Sequence, residues 1–394
     1  MNHSPAERSG PDRPLRIAMI VPPWYEVPPP GYGGLEQVCA ALVDGLVALG
    51  QDVTLFGVGS WSGTRARFIA TTPELQNDRL GQLLPELAHL ARVDQMLTPD
   101  SFDVVHDHTT IGPLMAPQRP LPTVVTVHGS PTGELGDILG DVDPSVGLVA
   151  ISHAQRRLAP DLPWIAAVHN GMCVDALPRK VRPGDGPVLW LARFSADKGP
   201  DLAIRACREA GLPLVLAGKC NEVGEQRYFT DVIEPMLGPD VTLVRNADRE
   251  TTLQLLLEAR CLIMPIQWEE PFGMVMVEAS ATGTPVVALN RGAVPEIVRS
   301  GETGLICDEP AELPAALLAV AGIDPAACVA RVENHFSASQ MAAGYLPVYR
   351  SWMAEHRALS RHRPMTDPHG EPAGVRTGPS EDLYGSALSV SGRD

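Results

Sequence analysis

The chain has 394 residues, a formal charge of −16, 44% apolar residues and only 5% aromatic ones. That length suits two domains with cores of Val, Leu, Ile and Ala, and the acidity argues against general binding of nucleic acid or anionic membrane. Seven scattered cysteines without a CxxC pair, no apolar run near the ~20 residues of a membrane span, and a polar start without a signal core predict a soluble cytoplasmic protein without disulfides or a zinc site.

Residues 1–14 read as a disordered leader. The first apolar run is 16–21, followed by a Pro- and Gly-rich loop ending in Gly31-Tyr32-Gly33-Gly34. A helix comes next, with Leu35, Val38, Cys39, Leu42, Leu46 and Leu49 on one face and Gly50 as its stop. Further strands are expected at 53–56, 104–105, 124–127, 148–151 and 166–168. The segment 176–187, with its prolines and glycines, reads as a linker, which places one domain at 15–177 and the next at 178–338. The βα rhythm then restarts, with strands at 188–191, 214–216, 241–244, 262–264 and 286–288 and a helix at 201–210. This alternation predicts an α/β chain of two similar Rossmann-like domains. A last helix, 339–355, carries Met341, Tyr345, Tyr349 and Trp352 on one side. After 358 the chain is rich in Pro, Gly, Ser and charge and reads as a disordered tail.

The segment with the most chemistry is Glu270-Pro271-Phe272-Gly273-Met274-Val275-Met276-Val277-Glu278. It follows a buried-strand pattern, and Pro271 and Gly273 turn the chain into a helix. A helix start behind a parallel strand aims unpaired N–H groups at the crevice, which suits an anion or a sugar hydroxyl. Glu270 precedes that start and Glu278 lies within the helix, so the two carboxylates serve different hydroxyls of one elongated ligand. A second constellation, Arg193-Phe194-Ser195-Ala196-Asp197-Lys198-Gly199, follows the first strand of the second half. Arg193 supplies a planar fork and Lys198 a mobile point charge, a pair able to neutralise a diphosphate leaving group. Gly33 and Gly34 allow close approach of backbone to a ligand, but the full G-x-G-x-x-G fingerprint of a dinucleotide enzyme is missing.

In this order, Glu270 through Pro-Phe-Gly to Glu278, then Gly283-Thr284-Pro285-Val286-Val287, Pro295-Glu296-Ile297-Val298 and Thr303-Gly304-Leu305, the sequence resembles the E-x7-E signature region of family 4 glycosyltransferases. The resemblance runs over most of 15–357. It implies the GT-B fold: two Rossmann-like domains facing across a cleft, with the last helix (339–357) returning to the first domain. It implies Glu270 near the donor sugar, Glu278 on the nucleotide ribose, and backbone N–H groups of Phe272, Gly273, Met274 and Val275 at the sugar and distal phosphate. It also places Arg193 and Lys198 on the diphosphate, Gly33 and Gly34 across the cleft from it, and His128 beside the reacting sugar. Asn170-Gly171 matches a family turn near the domain junction.

The function implied is transfer of a sugar, with retention, from a nucleoside diphosphate sugar (UDP favoured) to an unidentified small-molecule, lipid or glycan hydroxyl. No cofactor and no metal are expected, with Arg193 and Lys198 in place of a cation. Two motifs could nevertheless suggest a metal: His106-Asp107-His108, whose imidazoles share a strand face, and the D-x-D triplet Asp141-Val142-Asp143. The alternatives are a nucleotide-sugar epimerase or glycoside phosphorylase on the same fold, or a non-catalytic sugar-nucleotide binding protein.

Overall fold

The structure is a computed structural model and describes residues 13–29 and 33–362. Most of the expected leader, Pro30, Gly31 and Tyr32 of the glycine-rich loop, and the expected tail from 363 onward lie outside the described residues.

Two parallel sheets form. The first contains β1 (Arg16–Ile20), β2 (Asp52–Gly57), β3 (Arg67–Ala70), β4 (Val104–Asp107), β5 (Thr123–Val127), β6 (Val146–Ala150) and β7 (Trp164–Ala167), in the order β3-β2-β1-β4-β5-β6-β7. The second contains β8 (Val188–Leu191), β9 (Leu214–Gly218), β10 (Val241–Arg245), β11 (Leu262–Met264), β12 (Val286–Leu289) and β13 (Gly304–Cys307), in the order β10-β9-β8-β11-β12-β13. Strand β1 is apolar from Ile17 to Ile20, all fully buried, because helices cover both faces of the sheet. In each sheet the winding reverses beside the first strand, between β1 and β4 and between β8 and β11. At such a reversal the helices after neighbouring strands leave in opposite directions and open a crevice at the carboxyl ends.

Two strands escaped the sequence pattern. β3 is a half-exposed edge strand with charged neighbours, and β13 is only four residues starting at a glycine. Neither offers an apolar run longer than three residues.

The C-terminal helix spans Ala338–His362, so residues 358–362, expected in the tail, are helical. At the other end Arg13, expected in the loose leader, is tied to Asp103 by an ion pair of 2.7 Å. The C-terminal helix packs on the Gly34–Ala48 helix and buries Tyr345, Tyr349 and Trp352 in the first domain's core with Cys39, Leu42 and Leu46. Its polar tips are matched as well as its rings. Tyr345 Oη lies 2.7 Å from Thr126 Oγ1, Tyr349 Oη 2.7 Å from His106 Nδ1, and Trp352 Nε1 donates to the Thr123 carbonyl at 3.0 Å. Each bond satisfies a group whose burial alone would be unfavourable. No single helix among the described residues is long and apolar enough to cross a membrane.

The two helices approach closely because residue 45 is glycine: a Cβ there would lie 2.6 Å from the Ala338 carbonyl oxygen and 2.9 Å from Ala342 Cβ. Gly45→Val therefore forces them apart and should lower unfolding stability by about 1–3 kcal/mol, as overpacked cores do, read as a lower urea midpoint.

Candidate active site

The two crevices meet in one cavity of about 380 Å³ lined by both domains. Every residue singled out for the site lines it: Gly33, Gly34 and His128 from the first domain, and Arg193, Lys198, Glu270, Phe272, Gly273, Met274, Val275 and Glu278 from the second. Their convergence is a property of the topology, since the segments lie at the carboxyl ends of β5, β8 and β11 and at the start of the Gly34–Ala48 helix.

Lys198 is placed by its neighbour Gly199, which has φ 63° and whose absent Cβ would sit 2.2 Å from the Pro265 carbonyl oxygen. Only glycine lets the chain turn so tightly against the β11 exit. The Lys198 ammonium pairs with the Glu270 carboxylate. It also lies 4.7 Å above the Trp268 ring, while Trp268 Nε1 donates to Glu270 Oε2 at 3.1 Å. One indole thus holds both members of the pair, through its face and through its N–H. Trp268 was not singled out in the sequence; its position two residues before Glu270 is the only signal that could have marked it.

Arg193 Nη1 donates to Glu225 Oε1 at 2.9 Å. Glu225 is buried, and its other oxygen accepts from the backbone N–H groups of Asn221 and Glu222 at 2.9 and 3.2 Å. Burial disfavours the guanidinium charge, but the bond to Glu225 together with the charges of Glu225, Asp197 and Glu222 outweighs it and raises the Arg193 pKa. The guanidinium has further N–H donors beyond the one given to Glu225, and Arg193 lines the cavity. Glu225 sits in the Val223–Tyr228 helix and had no sequence signature of its own.

Gly273, at φ 91°, starts the Met274–Ala281 helix, and no side chain caps this end. The positive end of the helix therefore faces the cavity. Glu278 lies one turn and more along the same helix. Its carboxyl is enclosed by protein although the residue is half-buried by area, and this burial pushes its pKa up to about 7, against a smaller opposing effect of Arg249.

The first domain presents uncharged groups instead. His128 Nε2 is 2.9 Å from His108 Nδ1, and His108 Nε2 is 3.1 Å from Met19 Sδ. His106 is held separately, between Tyr349 and Thr126. Burial lowers the pKa of His128 to about 4 and of His106 to about 3, and drives His108 well below its ordinary value. All three imidazoles are neutral at pH 7. The His106–His108 pair shares a strand face as expected, with ring centroids 4.1 Å apart, but each ring is engaged by different partners. The D-x-D triplet is not in the cavity wall; it follows the Gly133–Gly140 helix, and Asp143 Oδ1 accepts from the Ser145 N–H at 2.8 Å. Asn170 is buried and lines the cavity.

A seam joins the domains beside the cavity. Glu296, from the second domain, accepts from the N–H groups of His153 (2.9 Å) and Ala154 (2.6 Å) and from His169 Nε2 (2.7 Å). Ser152 Oγ donates to the Pro271 carbonyl at 2.6 Å. The Pro295-Glu296 motif was noted in the sequence, but its inter-domain role was not legible there.

Comparison with known proteins agrees with this architecture. Residues 32–176 match the model "Glycosyltransferase Family 4", and residues 179–321 match "Glycosyl transferases group 1". A glycogen synthase of Mycobacterium tuberculosis (strain CDC 1551 / Oshkosh) is 27% identical over 81% of this chain and 89% of that protein. A D-inositol 3-phosphate glycosyltransferase of Acidothermus cellulolyticus is 26% identical over 91% and 95%. Among solved structures, AviGT4, a glycosyltransferase involved in avilamycin A biosynthesis, superposes with a TM-score of 0.67 at 26% identity, covering 86% of this chain and 98% of that one. Anabaena HepE in complex with UDP and glucose shares the fold, with a TM-score of 0.63 at 17% identity over 86% and 100%. With both halves matched in order and the two sheets wound alike around one cleft, the chain belongs to family 4 of the glycosyltransferases and has the GT-B fold.

Proposed function

We propose that this glycosyltransferase moves a sugar from a nucleoside diphosphate sugar, with UDP the favoured nucleotide, to a hydroxyl acceptor, retaining the anomeric configuration and using no metal. The observation that carries this reading is the convergence of Arg193, Lys198 and the uncapped helix start at Gly273 on one end of the cleft, with Glu278 further along the same wall. Cationic groups and a helix N-terminus suit a diphosphate, and the carboxylate suits the paired hydroxyls of a ribose. Solved relatives of the same fold hold UDP or UDP-glucose, which supports this class of donor.

In this mechanism negative charge develops on the departing diphosphate. Arg193 and Lys198, already held by Glu225 and Glu270, stabilise it without reorganising. Of the carboxylates in the cavity wall, Glu270 is paired with Lys198, Asp248 caps the Arg249–Glu258 helix, and Glu278 belongs to the nucleotide end. None is assigned as a covalent nucleophile, which favours attack of the acceptor hydroxyl from the face the diphosphate leaves. Neutral His128 is suited to a hydrogen bond with a sugar hydroxyl rather than to proton donation as imidazolium.

Arg193→Ala and Lys198→Ala should each lower kcat roughly 100- to 1000-fold in steady-state assays, the loss seen when one charge-stabilising donor is removed; normal turnover in Arg193→Ala would sink the mechanism. Calorimetric titration with UDP, GDP, ADP and dTDP is expected to show micromolar binding of UDP, unchanged by EDTA and lost in Glu278→Ala. Binding of none of the four would point to a non-catalytic use of the cleft.

The raised Glu278 pKa makes a third prediction. The carboxyl titrates near 7 in the folded protein and near 4.5 when unfolded. The folded state binds the extra proton between those values, so its contribution to stability is full below pH 4.5 and falls as pH rises through 7. In unliganded Glu278→Gln this fall, about 1–2 kcal/mol after allowance for solvent in the open cleft, should vanish from denaturation measured at pH 5 and 8.

A further inference from the structure

We propose that His153, His169 and Glu296 form a site for a divalent transition cation of the zinc class, which staples the two domains together and slows turnover reversibly. The site lies outside the transfer chemistry, and nothing in that chemistry requires it. The three side chains offer two imidazole nitrogens and a carboxylate oxygen, all within 4.8 Å of one another. This is a common ligand set for zinc, with solvent able to fill the fourth position.

The geometry needs little adjustment. His169 Nε2 and Glu296 Oε2 are 2.7 Å apart. Around a tetrahedral zinc, with ligands at about 2.0–2.2 Å, such atoms stand roughly 3.3 Å apart, so they must part by only about half an ångström. A carboxylate has about four lone-pair positions. Two are taken by the N–H groups of His153 and Ala154, and these can stay while the cation takes the place of the His169 N–H. The His169 proton is then carried on Nδ1, leaving Nε2 as the ligand. His153 is exposed, and its ring meets that of His169 edge-on with centroids 5.6 Å apart, so a side-chain rotation completes the set. Arg157 lies 3.6 Å from Glu296 Oε1, but it is 68% exposed and can turn into solvent.

The consequence follows from which elements supply the ligands. His153 opens the helix after β6, and His169 stands just past β7 where the chain leaves the first domain. Glu296 belongs to the second domain. A cation bonded to all three adds coordinate bonds across a seam otherwise held by hydrogen bonds, beside a ring that lines the cleft: Phe272 is 5.9 Å from His169. Opening of the cleft for donor entry and product release is thereby resisted.

The test is calorimetric titration of metal-stripped protein with Zn²⁺, paired with turnover at rising Zn²⁺ and after EDTA. The expected result is one equivalent bound at micromolar strength and a several-fold fall in kcat that EDTA restores. His153→Gln should weaken binding at least 10-fold and keep its turnover in the presence of Zn²⁺. Cys39→Ala should change neither, although Cys39, His108 and His128 form the other described cluster with metal-binding atoms close together. Absence of binding, binding undiminished in His153→Gln, or binding lost in Cys39→Ala overturns the site. Binding that leaves kcat unchanged overturns the staple.

Discussion

The cleft exists because the chain passes between its two sheets twice. It leaves the first domain after β7 and comes back as the Ala338–His362 helix, whose Tyr345, Tyr349 and Trp352 complete the first domain's core. A helix that fills a core cannot drift from it, so the second domain is tethered at both of its ends. At the crossing, the strands of the connection lock to each other: Met172 N–H donates to the Phe336 carbonyl at 2.9 Å, and Ala338 N–H returns to Met172 at 2.8 Å. The carboxyl ends of both sheets can then face one another, and the seam through Ser152 and Glu296 closes the remaining gap.

Within the cleft the two walls divide the electrostatic work. The second domain supplies charge, and in a chain of net charge −16 each site cation is held by its own carboxylate, Arg193 by Glu225 and Lys198 by Glu270. Pairing of this kind gives each cation a fixed counter-charge. The first domain supplies neutral polar groups. Its imidazoles are enclosed, bonded to one another or to hydroxyls and a thioether, and too desolvated to protonate near neutral pH. The cleft thus has neutral hydrogen-bonding groups on one wall and charge on the other.

Residues that were not expected at the site help to shape it. Trp268 and Glu225 direct the two cations, and Glu296 connects the domains. Trp268 and Glu225 bear no local pattern that distinguishes them from an ordinary aromatic or helical carboxylate, and the Pro295-Glu296-Ile297-Val298 motif does not reveal the partners of Glu296 across the seam. Each matters through a partner 32 to 143 residues distant in the chain or through a ring stacked beneath a neighbour.

Sequence alone determined the α/β rhythm and most of the strands, because these depend on local physics, while the residues along the cavity wall were marked by the resemblance of their motifs to those of the family. Buried parallel strands are mostly apolar, and a turn such as Lys198-Gly199 or Gly273 needs a residue able to adopt positive φ. Order supplied the rest of that reading: Glu270 and Glu278 are recognisable because their spacing is fixed within one turn and one helix. Strands β3 and β13 were not legible, since each offers only four residues, and β3 is half-exposed. Tertiary structure decided what the charges are paired with, that Glu278 titrates near 7, and that the histidines stay neutral. These properties arise from desolvation and from contacts between distant segments, and neither is written in the residues adjacent to a titrating group.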